Sequence, residues 1–158
     1  MGIEIERKFL VTDSGWREAA GHRSRYRQGY LALTEQVSIR VRVELPNGRS
    51  WLGIKERRVG RVRGEFEYPV PPEDAGQLLA LCRGQWVEKN RYHVLHVGHL
   101  WEVDEFLGEN AGLVVAEIEL KREDERFEPP KWLGREITDD ERYYNAALAL
   151  TPWSRWES

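Results

Sequence analysis

Near the start of the chain stands Glu4-x-Glu6-x-Lys8. On an extended strand alternate residues share a face. Two carboxylates and an ammonium group therefore project together, while Ile3, Ile5 and Phe9 take other positions in the same run. The spacing returns in Arg40 and Arg42, Glu65 and Glu67, Lys89 and Arg91, Glu102 and Asp104, and Glu117 and Glu119. A half-buried strand needs only an apolar face towards the core and mixed polar residues outside. Solvated cross-strand ion pairs, worth about 0.2–1 kcal/mol each, account for any one of these pairs. They do not account for blocks of like sign, because like charges directly opposed destabilise a sheet.

The rest of the chain supplies the strands to carry those charges. Ser38 to Leu45 alternates Ile39, Val41 and Val43 against Arg40 and Arg42, and Pro46-Asn47-Gly48 turns it back into Trp51 to Arg57. Further strands are expected over residues 3 to 11, Tyr26 to Leu33, Arg61 to Val70 and Leu113 to Lys121. Trp86 to His93 and Leu100 to Leu107 read as a hairpin with Gly98 near its turn. Asp13 to Arg25 is ambiguous, with Trp16, Ala19 and Ala20 permitting a short helix that Gly21 would end. Glu73 to Arg83 changes period, with Ala75, Leu78, Leu79 and Cys82 on one helical face and Gly84 as its stop. Pro129 and Pro130 begin a loop, and Asp140 to Leu150 reads as a closing helix.

About eight mostly antiparallel strands with two or three helices can close as a barrel. With the charges inward, the lumen holds Glu4, Glu6, Glu65, Glu67, Glu102, Asp104, Glu117 and Glu119 beside Lys8, Arg40, Arg42, Lys55, Lys89 and Arg91. Such inverted amphipathy suits a wet tunnel. Clustered carboxylates resist full ionisation, and a hard divalent cation relieves that repulsion. Oxygen donors without a convincing cysteine or histidine set point to Mg2+ or Mn2+. The arginines grip phosphoryl oxygens through forked donors. A metal-chelated polyphosphate satisfies both halves of the lumen.

The global quantities set limits. The 158 residues suit a single domain, 1–158, able to bury a real core. A net charge of -3 gives no overall pull towards nucleic acid or acidic lipid. One cysteine, Cys82, excludes an internal disulfide and suits a reducing compartment. With no membrane-length apolar stretch and no signal-peptide pattern, the expectation is a cytoplasmic protein without a membrane or nucleic-acid partner.

Taken in order, Glu4-Ile5-Glu6-Arg7-Lys8-Phe9-Leu10-Val11, Gln28-Gly29-Tyr30-Leu31, Ile39-Arg40-Val41-Arg42, Ile54-Lys55, Gly64-Glu65-Phe66-Glu67, Glu88-Lys89-Asn90-Arg91-Tyr92, Trp101-Glu102-Val103-Asp104-Glu105-Phe106, Ala116-Glu117-Ile118-Glu119-Leu120 and Asp140-Glu141-Arg142-Tyr143-Tyr144-Asn145 resemble the CYTH superfamily, the triphosphate tunnel metalloenzymes, over nearly the whole chain. The likeness is strongest to the small bacterial inorganic triphosphatases. It implies an α+β fold, an eight-stranded antiparallel triphosphate tunnel with flanking helices. It also implies metal-dependent hydrolysis of tripolyphosphate to pyrophosphate and phosphate. By resemblance, Lys8, Arg40, Arg42, Lys55 and Arg91 hold phosphates, and Glu4, Glu6, Glu117 and Glu119 hold metal. Glu65, Glu67 and Asp104 are further ligands or water positioners, and Lys89, restrained by Tyr30, assists attack by water. Three alternatives stay open: a class IV adenylyl cyclase-like activity, a thiamine or nucleoside triphosphatase, and a triphosphate-binding module without turnover. Gly53 departs from the threonine that relatives often carry before the Ile-Lys pair.

Other residues invite plainer readings. Arg57, Arg58, Arg61 and Arg63 form a basic run, read as a solvated face ahead of a tunnel mouth. His96 and His99 read as loop histidines and Cys82 as a buried structural thiol. Trp51, Trp86 and Trp101 are expected to cover strand faces. Trp16, Trp132, Trp153 and Trp156 are left to seal helix contacts or the interface of a homodimer.

Overall fold

The computed structural model describes residues 2–58 and 60–156. The alternating charges do form strands: β1 (Ile3–Val11), β2 (Ala20–Leu33), β3 (Val37–Leu45), β4 (Ser50–Glu56), β5 (Val62–Val70), β6 (Trp86–His96), β7 (His99–Phe106) and β8 (Val114–Glu119). They hydrogen-bond in the order β5-β4-β3-β2-β6-β7-β8-β1, and β1 pairs with β5 to close a ring of eight. Every pairing is antiparallel. A ninth strand, β9 (Leu133–Glu136), lies outside the ring on β1.

Closure depends on how β1 shares its edges. Its first residues, Ile3 to Ile5, pair with β5, and Phe9 and Val11 pair with β9. Its other edge carries β8 from Glu6 to Leu10. Short β9 thus covers the stretch of edge that β5 leaves open, and an open edge is an aggregation liability.

Because the middle of the lumen is charged, the apolar packing lies outside the ring and across one of its ends. Phe9, Trp101, Val103, Ala116 and Ile118 face outwards from β1, β7 and β8 and are buried beneath Trp16 and Trp132. The Trp101 and Trp132 rings meet edge to face at 5.8 Å. At one end of the ring Tyr30, Val87, Phe106 and Val115 pack against Leu148 and Ala149 of α2 (Asn145–Leu150). On a third side Val41 meets Ala75, Leu79 and Cys82 of α1 (Pro72–Leu81) and its C-cap. A Cβ on Gly29 would stand 2.6 Å from the Cys82 sulfur, so the glycine in β2 lets α1 dock. Each large apolar side chain fully buried this way contributes about 1.5–3 kcal/mol.

Three segments differ from the sequence expectation. The ambiguous stretch holds only a 3-10 turn at Gly15–Arg17, which buries Trp16, and β2 then begins at Ala20 and runs through Gly21. The expected closing helix is split. A 3-10 turn at Glu141–Tyr143 gives way to an extended Tyr144, and α2 starts only at Asn145. The stretch after Pro129 and Pro130 contains β9, whose four residues are too few to show a period. The hairpin turn consists of Val97 and Gly98, both at positive φ, and such a two-residue turn matches the twist of its strands.

Candidate functional site: a charged tunnel

Strand parity places the charges inward. A cavity of about 140 Å³ runs inside the ring, lined by Glu4, Glu6, Lys8, Arg40, Arg42, Lys55, Glu65, Glu67, Lys89, Arg91, Glu102, Glu117, Glu119 and Asn145. Every charged residue assigned to the lumen from sequence lines it except Asp104, which shares the inward face but is fully buried beneath Lys89 and Arg91. Among the described residues, no helix is long and apolar enough to cross a membrane.

Asp104 organises one wall. Its two oxygens accept a forked pair of bonds from Arg91, 2.8 Å from Nε and 2.9 Å from Nη2. The second oxygen also accepts from Lys89 Nζ at 2.8 Å. These cations hold Asp104 below the usual carboxylate range against the opposing effect of burial. Lys8 Nζ bonds Glu117 at 2.8 Å and lies 3.4 Å from Glu6. Glu117, despite its burial, is held well below its ordinary value, first by Lys8 and then by Arg91.

Lys89 is pushed down to about 7. Burial is the largest cause, and Arg91 and Arg42 add repulsion that Asp104 only partly offsets. Asp104 is the strongest opposing influence, yet burial and the two arginines together outweigh it. Lys89 also donates to Asn145 Oδ1 at 2.9 Å, so the first residue of α2 reaches the tunnel. Tyr30, expected to restrain Lys89, instead accepts from Gln28 Nε2 at 3.0 Å. Gln28 in turn lies 3.4 Å from Asn145 Oδ1. Tyr30 therefore reaches Lys89 through Gln28 and Asn145.

Two features of the lumen await ligands. Glu6 stands opposite Glu119, and Glu102 opposite Glu117, so like charges face each other across β1–β8 and β7–β8. The Oε1 atoms of Glu4 and Glu6 are buried and stand against ammonium groups. Glu4 is raised by burial and by a hydrogen bond shared with Glu65, and Glu119 by burial and by Glu4, Glu6 and Glu102. Among the described residues, no three such side chains stand together as a ready-made metal site; Lys55, 2.9 Å from Glu4 and 3.5 Å from Glu6, and Lys8 sit among the acids. The oxygen-only donor set nevertheless fits a hard divalent cation, which would take the place of those ammonium groups. Arg42 is the complementary case. It has no carboxylate partner among the described residues and gives its Nε to Gln28 at 2.9 Å. Burial, then Arg40 and Arg91, push it down to about 10.

Sequence reasoning missed Asn145 as a tunnel group, and Gln28 and Arg63 beside it. Arg63 was readable, since it shares the face of Glu65 and Glu67 and pairs directly with Glu4. The other two needed the position of α2.

Comparison with known proteins agrees with this geometry. The CYTH domain family matches residues 2–147. An inorganic triphosphatase of Acetivibrio thermocellus is 44% identical over 158 residues, covering 99% of each chain. One from Nitrosomonas europaea is 37% identical, covering 94% of this chain and 97% of its own. A solved inorganic triphosphatase superposes with a TM-score of 0.68 at 36% identity, over 94% of this chain and 95% of that one. With residues 2–147 matched and the relatives covered nearly end to end, the chain belongs to the CYTH domain family.

Proposed function

We propose that the protein hydrolyses inorganic tripolyphosphate to pyrophosphate and orthophosphate within the tunnel, with a divalent cation, Mg2+ or Mn2+, bound by its acids. The carrying observation is the paired deficit of the lumen. Carboxylates oppose one another across β1–β8 and β7–β8 with lysines and Arg91 as their counter-charges, and half-buried Arg42 has no carboxylate partner among the described residues. A metal-bound polyphosphate corrects both. The relatives named inorganic triphosphatase support the same substrate.

Glu4, Glu6, Glu117 and Glu119 would hold the metal, with Glu65 and Glu67 as further ligands or water positioners. When bound, the cation neutralises phosphoryl charge and polarises the phosphorus centre. Lys8, Arg40, Arg42, Lys55 and Arg91 bind phosphoryl oxygens and fix the chain along the tunnel. Lys89 accepts a proton from the attacking water as the oxygen–phosphorus bond forms. The anhydride bond breaks on the far side and its electrons leave on pyrophosphate. A lysine can do this near neutral pH only when its ammonium form is disfavoured, and that is the environment of Lys89. Asp104, with both oxygens committed to Arg91 and Lys89, acts by positioning those cations and not by binding metal.

The test is product analysis with tripolyphosphate, ATP and thiamine triphosphate, each with Mg2+, Mn2+ and chelator. Phosphate and pyrophosphate should appear from tripolyphosphate only with metal, and Glu4→Gln should lower that turnover at least about a hundredfold. Turnover of an organic triphosphate alone would change the substrate. No product from any of them would overturn the reading.

A further inference from the structure

Beside the tunnel, at the α2 end, lies a second cavity of about 100 Å³. At roughly 30 Å³ of liquid volume per water, it has room for about three waters or one tetrahedral oxyanion. It shares Lys8, Arg40, Lys55 and Asn145 with the tunnel, so the two spaces meet across those side chains.

What distinguishes it is Arg63. This residue is 5% exposed and sits directly opposite Glu4, so it points to the inside of the ring. Its guanidinium lies 5.0 Å from the centre of the Tyr144 ring, and its Nη2 donates to Gly60 O at 2.8 Å. Its Nε is buried without a partner, and no carboxylate pairs with Arg63 among the described residues. An unsatisfied buried donor on a charged group carries that group's full desolvation penalty, so such a donor calls for an acceptor. Arg57, at the rim of the same cavity, also has no acid partner among the described residues and gives Nη1 to Thr34 O. The acids of the cavity do not fill the deficit. Glu56 is engaged by the Gly64 amide at 3.0 Å and by Arg58 at 3.6 Å, and Glu141 stands alone against the cations.

We propose that this cavity is a second anion site, taking one phosphate group after cleavage, with Arg63 as its principal donor and Arg57 at its rim. The source of that phosphate, orthophosphate or one end of pyrophosphate, rests on the triphosphatase reading; the site itself does not. The product would leave the tunnel past Lys55 towards Arg63 and Arg57, which no carboxylate holds among the described residues.

The experiment is calorimetric titration of the full chain in chelator, where no turnover occurs, first with orthophosphate and then with pyrophosphate. Each titration is repeated on protein saturated with tripolyphosphate. Orthophosphate should bind the saturated protein with one equivalent. Arg63→Met should weaken that binding about tenfold and Arg57→Ala about threefold, with part of the loss restored in Arg63→Lys. Arg122→Ala, a solvated arginine outside both cavities, should leave it unchanged. Arg63-dependent binding of orthophosphate alone assigns the smaller product; the same dependence for both anions assigns the terminal phosphate of either. One-for-one displacement by tripolyphosphate, absence of binding by both anions, or equal affinity in the Arg63 and Arg57 variants would overturn the site. Arg57 is exposed, so its variant keeps the test valid if Arg63→Met does not fold. Failure of tripolyphosphate turnover with metal would leave this titration untouched.

Discussion

The two walls of the tunnel carry similar charges and hold them differently. On the β6–β7–β8 side Lys89 and Asp104 are each 1% exposed, and the bonds linking Asp104 to Lys89 and Arg91 are 2.8–2.9 Å. Behind them Trp101, Val103, Ala116 and Ile118 are packed under a second layer of aromatics. On the β3–β4–β5 side Arg40 reaches Glu65 and Glu67 only at 3.3 Å, and Glu67 is 38% exposed. Behind this wall Phe66 and Tyr68 lie open to solvent. The first wall fixes charges whose positions are over-determined by packing. The second holds charges that can change partner at small cost, as is needed where a cation displaces a lysine or a phosphate takes an arginine from a glutamate.

The largest test of that contrast is stability. Asp104→Asn leaves Lys89 and Arg91 buried without their counter-charge, and breaking such a pair costs about 3–5 kcal/mol. Glu67→Gln on the yielding wall removes a longer, half-solvated contact and should cost under about 1 kcal/mol. Denaturant unfolding of both variants measures the difference; equal losses would mean that the walls do not differ in rigidity.

The next test is chemical. Lys89→Met should lower metal-dependent turnover by about 10²–10⁴ while the fold survives, since general-base assistance is worth that much. For the unaltered protein, kcat/KM reports the free enzyme. It should fall as pH drops below about 7, where Lys89 becomes an ammonium ion, and level off above. Arg42→Met removes one of the repelling cations and should move that break to higher pH, besides weakening substrate binding. A break that stays in place in Arg42→Met would mean that another group limits the profile.

The difference between the walls also explains what could be read from the chain. Period-two spacing fixes the face of a residue, so Glu4, Glu6, Lys8, Arg40, Arg42, Glu117 and Glu119 could all be assigned to one lumen. It says nothing of depth. Asp104 has the same spacing as Glu102, yet one is buried beneath Lys89 and Arg91 and the other lines the cavity. Arg63 was obscured by its neighbours, because Arg57, Arg58 and Arg61 make the run look like a solvated face. Asn145 reaches Lys89 because the extended Tyr144 breaks the final helix, and a continuous apolar pattern from Ala146 to Leu150 does not show where such a break falls. The strand from Ala20 is a tertiary effect: Gly21 disfavours a strand by itself, but β6 pairs with β2 along this stretch.

The smallest expected effect bears on the yielding wall alone. Gly53 in β4 stands opposite Arg40, and a Cβ there would meet Arg40 Nε at 3.0 Å and Cγ at 3.3 Å. Both contacts are with a flexible side chain, so Gly53→Ala should move the arginine and leave the strand in place. Replacing glycine also lowers the entropy of the unfolded chain, which offsets the crowding. Stability should therefore change by less than about 1 kcal/mol. Arg40, whose Nε has no partner and whose contacts to Glu65 and Glu67 are already long, should be displaced from the phosphate path. The expected result is a rise of about threefold in KM for tripolyphosphate with kcat nearly unchanged, the pattern of lost ground-state binding. If kcat falls instead while KM stays constant, Arg40 acts in the transition state, and the β3–β4–β5 wall is as finely positioned as the wall built on Asp104.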